Sequence, residues 1–260
     1  MCIRDSGHPV RGDGNVGWSV AIEHPALARA TAAHLSRWWA QGGPPAADVP
    51  PAALATSSPG AVAPPWRPID GRVTLLVSPS NAWRSEGVPA AVVNATSTLD
   101  LLLLQLRPHD NPWWDAVAAR AHAGVPTRML LNGVPLGVGH DPWRDGGGAA
   151  VAAWTAAALE VRASDPGGPA VHAKALVVDG RTVLVGSSNW GSAGLRTNRE
   201  LGLLIEDEGL GALAADAFAR AWASSRPAEP GALPPAPAAT PGALALLAAA
   251  CAVVLRPRRG

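Results

Sequence analysis

Between residues 71 and 226, short apolar runs alternate with stretches whose apolar positions recur every three to four residues. Runs at 72–77 and 99–106 suit buried strands, although the second also fits a helix. Residues 112–123 predict a helix with proline in its first turn and Val117, Ala118 and Ala121 along its apolar side. Strands are expected at 127–131, 159–162, 171–178, 182–185 and 200–205, and helices at 149–158 and 208–224. The strands at 171–178 and 182–185 flank Asp179-Gly180, a tight-turn pair. This alternation predicts an α/β architecture in which helices cover a sheet.

The pattern also repeats. Residues 15–40 laid over 198–223 without a gap match Asn15 with Asn198, Ile22-Glu23 with Ile205-Glu206 and Leu27 with Leu210. Arg37, Trp39 and Ala40 then match Arg220, Trp222 and Ala223. Both segments read as strand, acidic turn and helix with a closing tryptophan, at an offset of 183 residues. Residues 1–40 are therefore expected to be the last strand and helix of an earlier copy, in a chain truncated at its start. Residues 41–70 hold eight prolines and read as an extended linker, 71–226 as the main domain, and 227–242 as a Pro/Ala-rich spacer.

Composition sharpens the reading. With 21 Lys+Arg against 20 Asp+Glu, the formal charge of +1 excludes binding of nucleic acid by bulk charge alone. Cys2 and Cys251 stand at the two extremes, so the body carries neither a disulfide framework nor a cysteine metal site. Lys174 is the single lysine among 21 basic residues.

That lysine lies in the segment that carries the chemistry, VHAKALVVDGRTVLVGSSNWGSAGLRTNRELGLLIE at 171–206. On one strand, His172 and Lys174 would leave the same face. Beyond the turn, the next strand ends at Gly186, and Ser187 and Asn189 can reach the same end of the sheet. Imidazole, ammonium, hydroxyl and carboxamide brought together suit a phosphodiester. Lys174, Ser187 and Asn189 would bind phosphate oxygens, and His172 would attack phosphorus or shuttle a proton. Glu200 could hold the second imidazole nitrogen and fix the tautomer.

His172-x-Lys174, Asp179, Gly186-Ser187-x-Asn189 and Glu200 together resemble the motif of the phospholipase D superfamily. The similarity extends from Val73 to the final helix of the domain. It implies a mixed β-sheet flanked by helices on both faces, used as two copies with one active site between them. Each copy supplies one His-x-Lys. One histidine becomes a transient phosphohistidine and the other protonates the leaving alcohol, without metal or other cofactor. The resemblance gives Asp179 a structural role at the turn. It implies a phospholipid or nucleic acid substrate.

No second His-x-Lys occurs in the chain. The other half-site is expected from an upstream copy or a dimer partner. A non-catalytic surface module that binds phosphorylated lipid or nucleic acid is the alternative. His109-Asp110 with Asp115, and His140-Asp141, lack a two-histidine ligand spacing and are read as loop residues, not a metal site. Trp113, Trp114 and Trp143 are read as core. The end of the chain, 243–260, is an apolar stretch followed by Arg256, Arg258 and Arg259, shorter than a spanning helix. It resembles prokaryotic C-terminal sorting tails, which implies a cell-surface protein tethered to the membrane by its C-terminus.

Overall fold

The structure is a computed structural model that describes residues 2–4, 15–42, 66–82, 84, 87–104, 111–133, 154–165, 170–228 and 252–257. Its frame is an eight-stranded mixed sheet of β5 (Val73–Ser78), β6 (Leu99–Leu103), β7 (Thr127–Leu131), β8 (Glu160–Ala163), β10 (Lys174–Val178), β11 (Thr182–Gly186), β12 (Glu200–Glu206) and β13 (Arg226–Pro227). The strand order is β13-β8-β7-β6-β10-β11-β12-β5. Strands β6, β7 and β8 run parallel, and the remaining pairs are antiparallel.

Alternation on the strands sends side chains into two cores. On β6, Leu99, Leu101 and Leu103 join one cluster and Leu102 the other, and all five residues are buried. The first cluster is closed by α2 (Val88–Val93), α3 (Pro112–His122) and Trp190. The second is closed by α5 (Glu208–Ala223) and by a segment from the chain's start, β3 (Ser19–Ile22) with α1 (Pro25–Gln41). A short helix, α4 (Ser192–Arg196), follows β11. Helices thus cover both faces.

Local chemistry starts each long helix. Asn111 Oδ1 accepts from the amides of Trp113 and Trp114 at the head of α3, and Asp207 Oδ1 accepts from Leu210 N at the head of α5. At the Asp179-Gly180 turn both residues have positive φ, 52° and 61°, and Arg181 N closes the turn onto the Val178 carbonyl. Helix α5 sits against this turn through Gly211, where a Cβ would lie 2.1 Å from the Gly180 carbonyl oxygen.

Four expectations change. The strand expected over 171–178 is divided into β9 (Ala170–Val171) and β10, with His172 and Ala173 between them. The cause is a change of partner: β9 pairs with β2 (Asn15–Val16), and Val171 N is taken by Asn132 Oδ1, whereas β10 pairs with β6. The proline-rich 41–70 ends in a strand, β4 (Trp66–Ile69), while 43–65 lie outside the described residues. Within the apolar tail, β14 (Ala252–Pro257) is a strand between β3 and β4, parallel to both; its two adjacent valines favour extended backbone. Of the helix expected at 149–158, residues 154–156 form a helical turn and 149–153 lie outside the described residues, as do 229–251 and 258–260. Among the described residues no helix is long and apolar enough to cross a membrane.

Candidate active site

One end of the sheet collects the residues of interest. Lys174 opens β10 opposite Leu103, Gly186 closes β11 opposite Gly202, and Glu200 opens β12 opposite Ser78. Parallel strands β6 and β7 end on the same side, where open α/β sheets commonly bind ligands.

Lys174 is 5 % exposed. Its Nζ lies 2.9 Å from His172 Nδ1 and donates to the His172 carbonyl oxygen at 2.7 Å. An ammonium can only donate, so Nδ1 accepts and the proton of the neutral ring resides on Nε2. The lysine thereby holds the imidazole although His172 lies outside the strand.

Ser187 and Glu200 form the second part. The Ser187 hydroxyl donates to Glu200 Oε2 at 2.5 Å and accepts from Leu201 N at 3.1 Å. The other carboxylate oxygen accepts from Asn198 Nδ2 at 3.1 Å. Glu200 was expected to hold His172; here it is bonded to Ser187 and Asn198. The cause is register: Ser187 N bonds to the Leu201 carbonyl, which sets the hydroxyl beside the first residue of β12.

Asn189 is half-buried, and its Oδ1 is buried without a hydrogen-bond partner among the described residues. Its backbone is fixed by α4, where a Cβ on Gly194 would lie 2.2 Å from the Asn189 carbonyl oxygen. At Gly186 a Cβ would meet Gly202 Cα at 2.9 Å, so two glycines let β11 and β12 meet beside Ser187.

Asp179 occupies the opposite end of β10, about 16 Å away for five residues of extended chain. Its carboxylate accepts from the amides of Thr96, Ser97 and Thr98 and from the Thr96 hydroxyl, at 2.7 to 3.1 Å. Burial alone would push its pKa up, but the Thr98, Thr96 and Ser97 amides and the Thr96 hydroxyl outweigh burial and hold it below the ordinary carboxylate value. Asp179 ties the β10–β11 turn to the start of β6.

Trp113 and Trp114 are buried in the core, and Trp113 packs edge-on against Trp190 with ring centroids 5.0 Å apart. Asp115 lies in the first turn of α3. Trp143, His109, Asp110, His140 and Asp141 lie outside the described residues. Two residues escaped the sequence reading. Asn198 braces Glu200, and its signal was its place as the matched partner of Asn15 in the repeat. Asn132, fully buried, holds Val171 N just before His172; an asparagine directly after the apolar strand at 127–131 was the sign available.

The mixed sheet between helices, with His-x-Lys and Gly-Ser-x-Asn at one end, defines a protein of the phospholipase D class. Residues 90–222 match the family described as cardiolipin synthase, PLD-like domain, so the chain belongs to that family. Among solved structures it is similar to Nuc, a phospholipase D family member from Salmonella typhimurium, at 20 % identity and a TM-score of 0.51, covering 61 % of this chain and 99 % of Nuc. NucT from Helicobacter pylori matches at 15 % identity and a TM-score of 0.49, over 61 % of this chain and 99 % of NucT. Phosphatidylserine synthase from Haemophilus influenzae Rd KW20 matches at 15 % identity and a TM-score of 0.47; 60 % of this chain covers 40 % of that protein. No curated protein matches the chain.

Proposed function

We propose that the chain carries one half of the active site of a phosphodiesterase that works through a phosphohistidine. The observation that carries this reading is the Lys174 ammonium, buried at a sheet end and bonded to the imidazole of His172. A phosphate arriving there offers the ammonium a stronger, charged acceptor than the ring nitrogen. Lys174 then moves to a phosphate oxygen and Nδ1 is released. With Nδ1 freed, the ring can carry its proton there and attack phosphorus with Nε2, or take a second proton and act as an acid.

In the nucleophilic role, the nitrogen–phosphorus bond forms as the ester phosphorus–oxygen bond breaks, and the leaving oxygen takes a proton from an acid in the other half-site. Water or another alcohol then attacks the phosphohistidine, releasing phosphate monoester or a new diester. Ser187, aligned by Glu200, and Asn189 supply further contacts to the phosphate. The second His-x-Lys comes from another copy of the domain.

His172→Ala and Lys174→Met in the protein as its gene encodes it test this reading, with phosphatidylcholine and single-stranded DNA as substrates. Loss of turnover by about a hundredfold or more, with the unfolding temperature retained, is expected for each. Wild-type rates in either variant would remove the enzymatic reading. Retained phosphodiester binding by a wild-type protein that turns nothing over would favour the binding module. We also read the tail as a surface tether; recovery of the protein in the membrane fraction, lost when 243–260 are deleted, is the outcome expected.

A further inference from the structure

Ser187 faces a conflict over its proton. Its hydroxyl accepts from Leu201 N and donates its one hydrogen to Glu200 Oε2. A phosphate oxygen bound by Ser187 needs that same hydrogen. It would also stand beside a carboxylate of like charge, and two anions at one donor repel. Ser187 can serve phosphate only if Glu200 turns to another donor.

The register of the sheet supplies one. Strand β12 lies between β11 and β5, and Glu200 stands opposite Ser78, the last residue of β5. Residues directly opposite share a face, with Cβ atoms about 4.5–5.5 Å apart, a gap that a glutamate side chain spans. Glu200 thus has a serine on each flank. The hydroxyl on the β11 side is bonded to it; the one on the β5 side is fully buried and has no hydrogen-bond partner among the described residues. Buried polar groups are almost always satisfied, so an unbonded hydroxyl across from a carboxylate calls for a reason.

Local structure determines which of the two moves. Asn81 Oδ1 accepts from Val77 N at 2.6 Å and Asn81 Nδ2 donates to the Leu75 carbonyl at 3.1 Å, so the chain on both sides of Ser78 is tied down. Glu200 is half-buried and reaches its partners through rotatable bonds with staggered alternatives. Asn198, which holds its other carboxylate oxygen, is exposed and can follow.

We propose that Ser78 is a positioning residue: when phosphate takes the Ser187 hydrogen, the Glu200 carboxylate swings from Ser187 to the unbonded hydroxyl of Ser78. The swing replaces one hydroxyl–carboxylate bond with another and draws the carboxylate away from the bound anion. Without Ser78, the carboxylate would lose a donor or compete with phosphate for Ser187. The inference rests on the reading of the site as phosphate-binding and adds the device that lets Ser187 change partners.

Inorganic phosphate is the probe, titrated into the full chain while the backbone amide resonances of Ser187 and Asn189 are followed. Ser78→Ala should weaken phosphate binding about tenfold, the contribution of a hydrogen bond to a charged group. Without phosphate the same variant should unfold at the wild-type temperature or slightly above, because it removes a hydroxyl that bonds to nothing. Ser78→Cys, a weaker donor of similar shape, should fall between the two in phosphate affinity. Beside Glu200→Ala, the effect of Ser78→Ala on phosphate should vanish, since Ser78 acts through the carboxylate. Equal phosphate affinity in the wild type and Ser78→Ala overturns the proposal and leaves the phosphodiesterase reading standing. A lowered unfolding temperature without phosphate overturns it too, by showing that the hydroxyl already has a partner. So does a weakening that persists beside Glu200→Ala, which would mean that Ser78 touches phosphate directly. A wild type whose Ser187 and Asn189 resonances ignore phosphate removes the proposal together with the reading of the site.

Discussion

Ser187 and Glu200 share a 2.5 Å hydrogen bond across the ends of β11 and β12, and through it the glutamate governs a hydroxyl at the site instead of the imidazole. Asn198 holds the far carboxylate oxygen, so three side chains form a line that ends at Ser187. A hydroxyl aligned by a charged acceptor has a fixed direction before substrate arrives, which is a form of preorganisation.

This pairing is open to a double-mutant cycle. Ser187→Ala and Glu200→Ala are expected to be non-additive in unfolding free energy, with a coupling of about 1–2 kcal/mol for a hydrogen bond to a charged group. A cycle that closes at zero would show that the contact contributes nothing to the fold. Glu200→Gln, which keeps an acceptor, should lose less stability than Glu200→Ala.

Asp179 makes the stability of the domain depend on pH. Its pKa in the fold lies below the unfolded value, so the unfolded chain binds the proton more readily. The stabilisation is complete above the ordinary carboxylate pKa and is lost as pH falls through the lower folded value. Asp179→Ala should destabilise the domain by about 1–3 kcal/mol near neutral pH, since three amides lose their acceptor. Its unfolding temperature should also fall less steeply with acid than that of the wild type. Parallel curves would locate the acid sensitivity elsewhere.

Gly194→Ala addresses Asn189 without altering any polar group. The new Cβ would stand 2.2 Å from the Asn189 carbonyl oxygen, so the loop between β11 and α4 must shift. Turnover should drop while the bulk of the fold survives, with the Nδ2 and backbone resonances of Asn189 displaced in the NMR spectrum. A variant with unmoved resonances would mean that α4 yields instead.

Away from the site, Arg128 and Asp100 form a two-pronged ion pair at 2.7 and 2.9 Å, with the aspartate side chain 4 % exposed. The hydrogen bond to Asp100 raises the pKa of the guanidinium, which burial opposes. Arg128→Ala leaves a buried carboxylate without this partner and uncovers Phe218. A loss of about 3–5 kcal/mol is expected by denaturant unfolding. The double change Arg128→Met with Asp100→Leu should recover most of it.

Seven of the sheet's eight strands were legible because each has a local signature; the two-residue β13 was not, since only its pairing with β8 defines it. The apolar residues at 99–106 and 183–185 report burial on both faces, and the Asp-Gly pair a turn that only certain residues accept. The separation of Ala170–Val171 from β10 was not legible, since it depends on Asn132 and β2 capturing the backbone before His172. Strand Ala252–Pro257 was not legible either, because its hydrogen bonds come from β3 and β4, which lie far from it along the chain.

At the site, residue types and spacing in the sequence selected His172, Lys174, Ser187, Asn189, Asp179 and Glu200, because those chemical groups recur at intervals set by strand geometry. Which of them touch was decided only in three dimensions. The sequence paired Glu200 with His172; the register of β11 against β12 gave it Ser187, and burial of Lys174 gave the imidazole its ammonium partner. Spacing along a chain determines which side chains reach one end of a sheet. Their hydrogen bonds depend on how neighbouring strands align, and that alignment is settled by packing across the whole core.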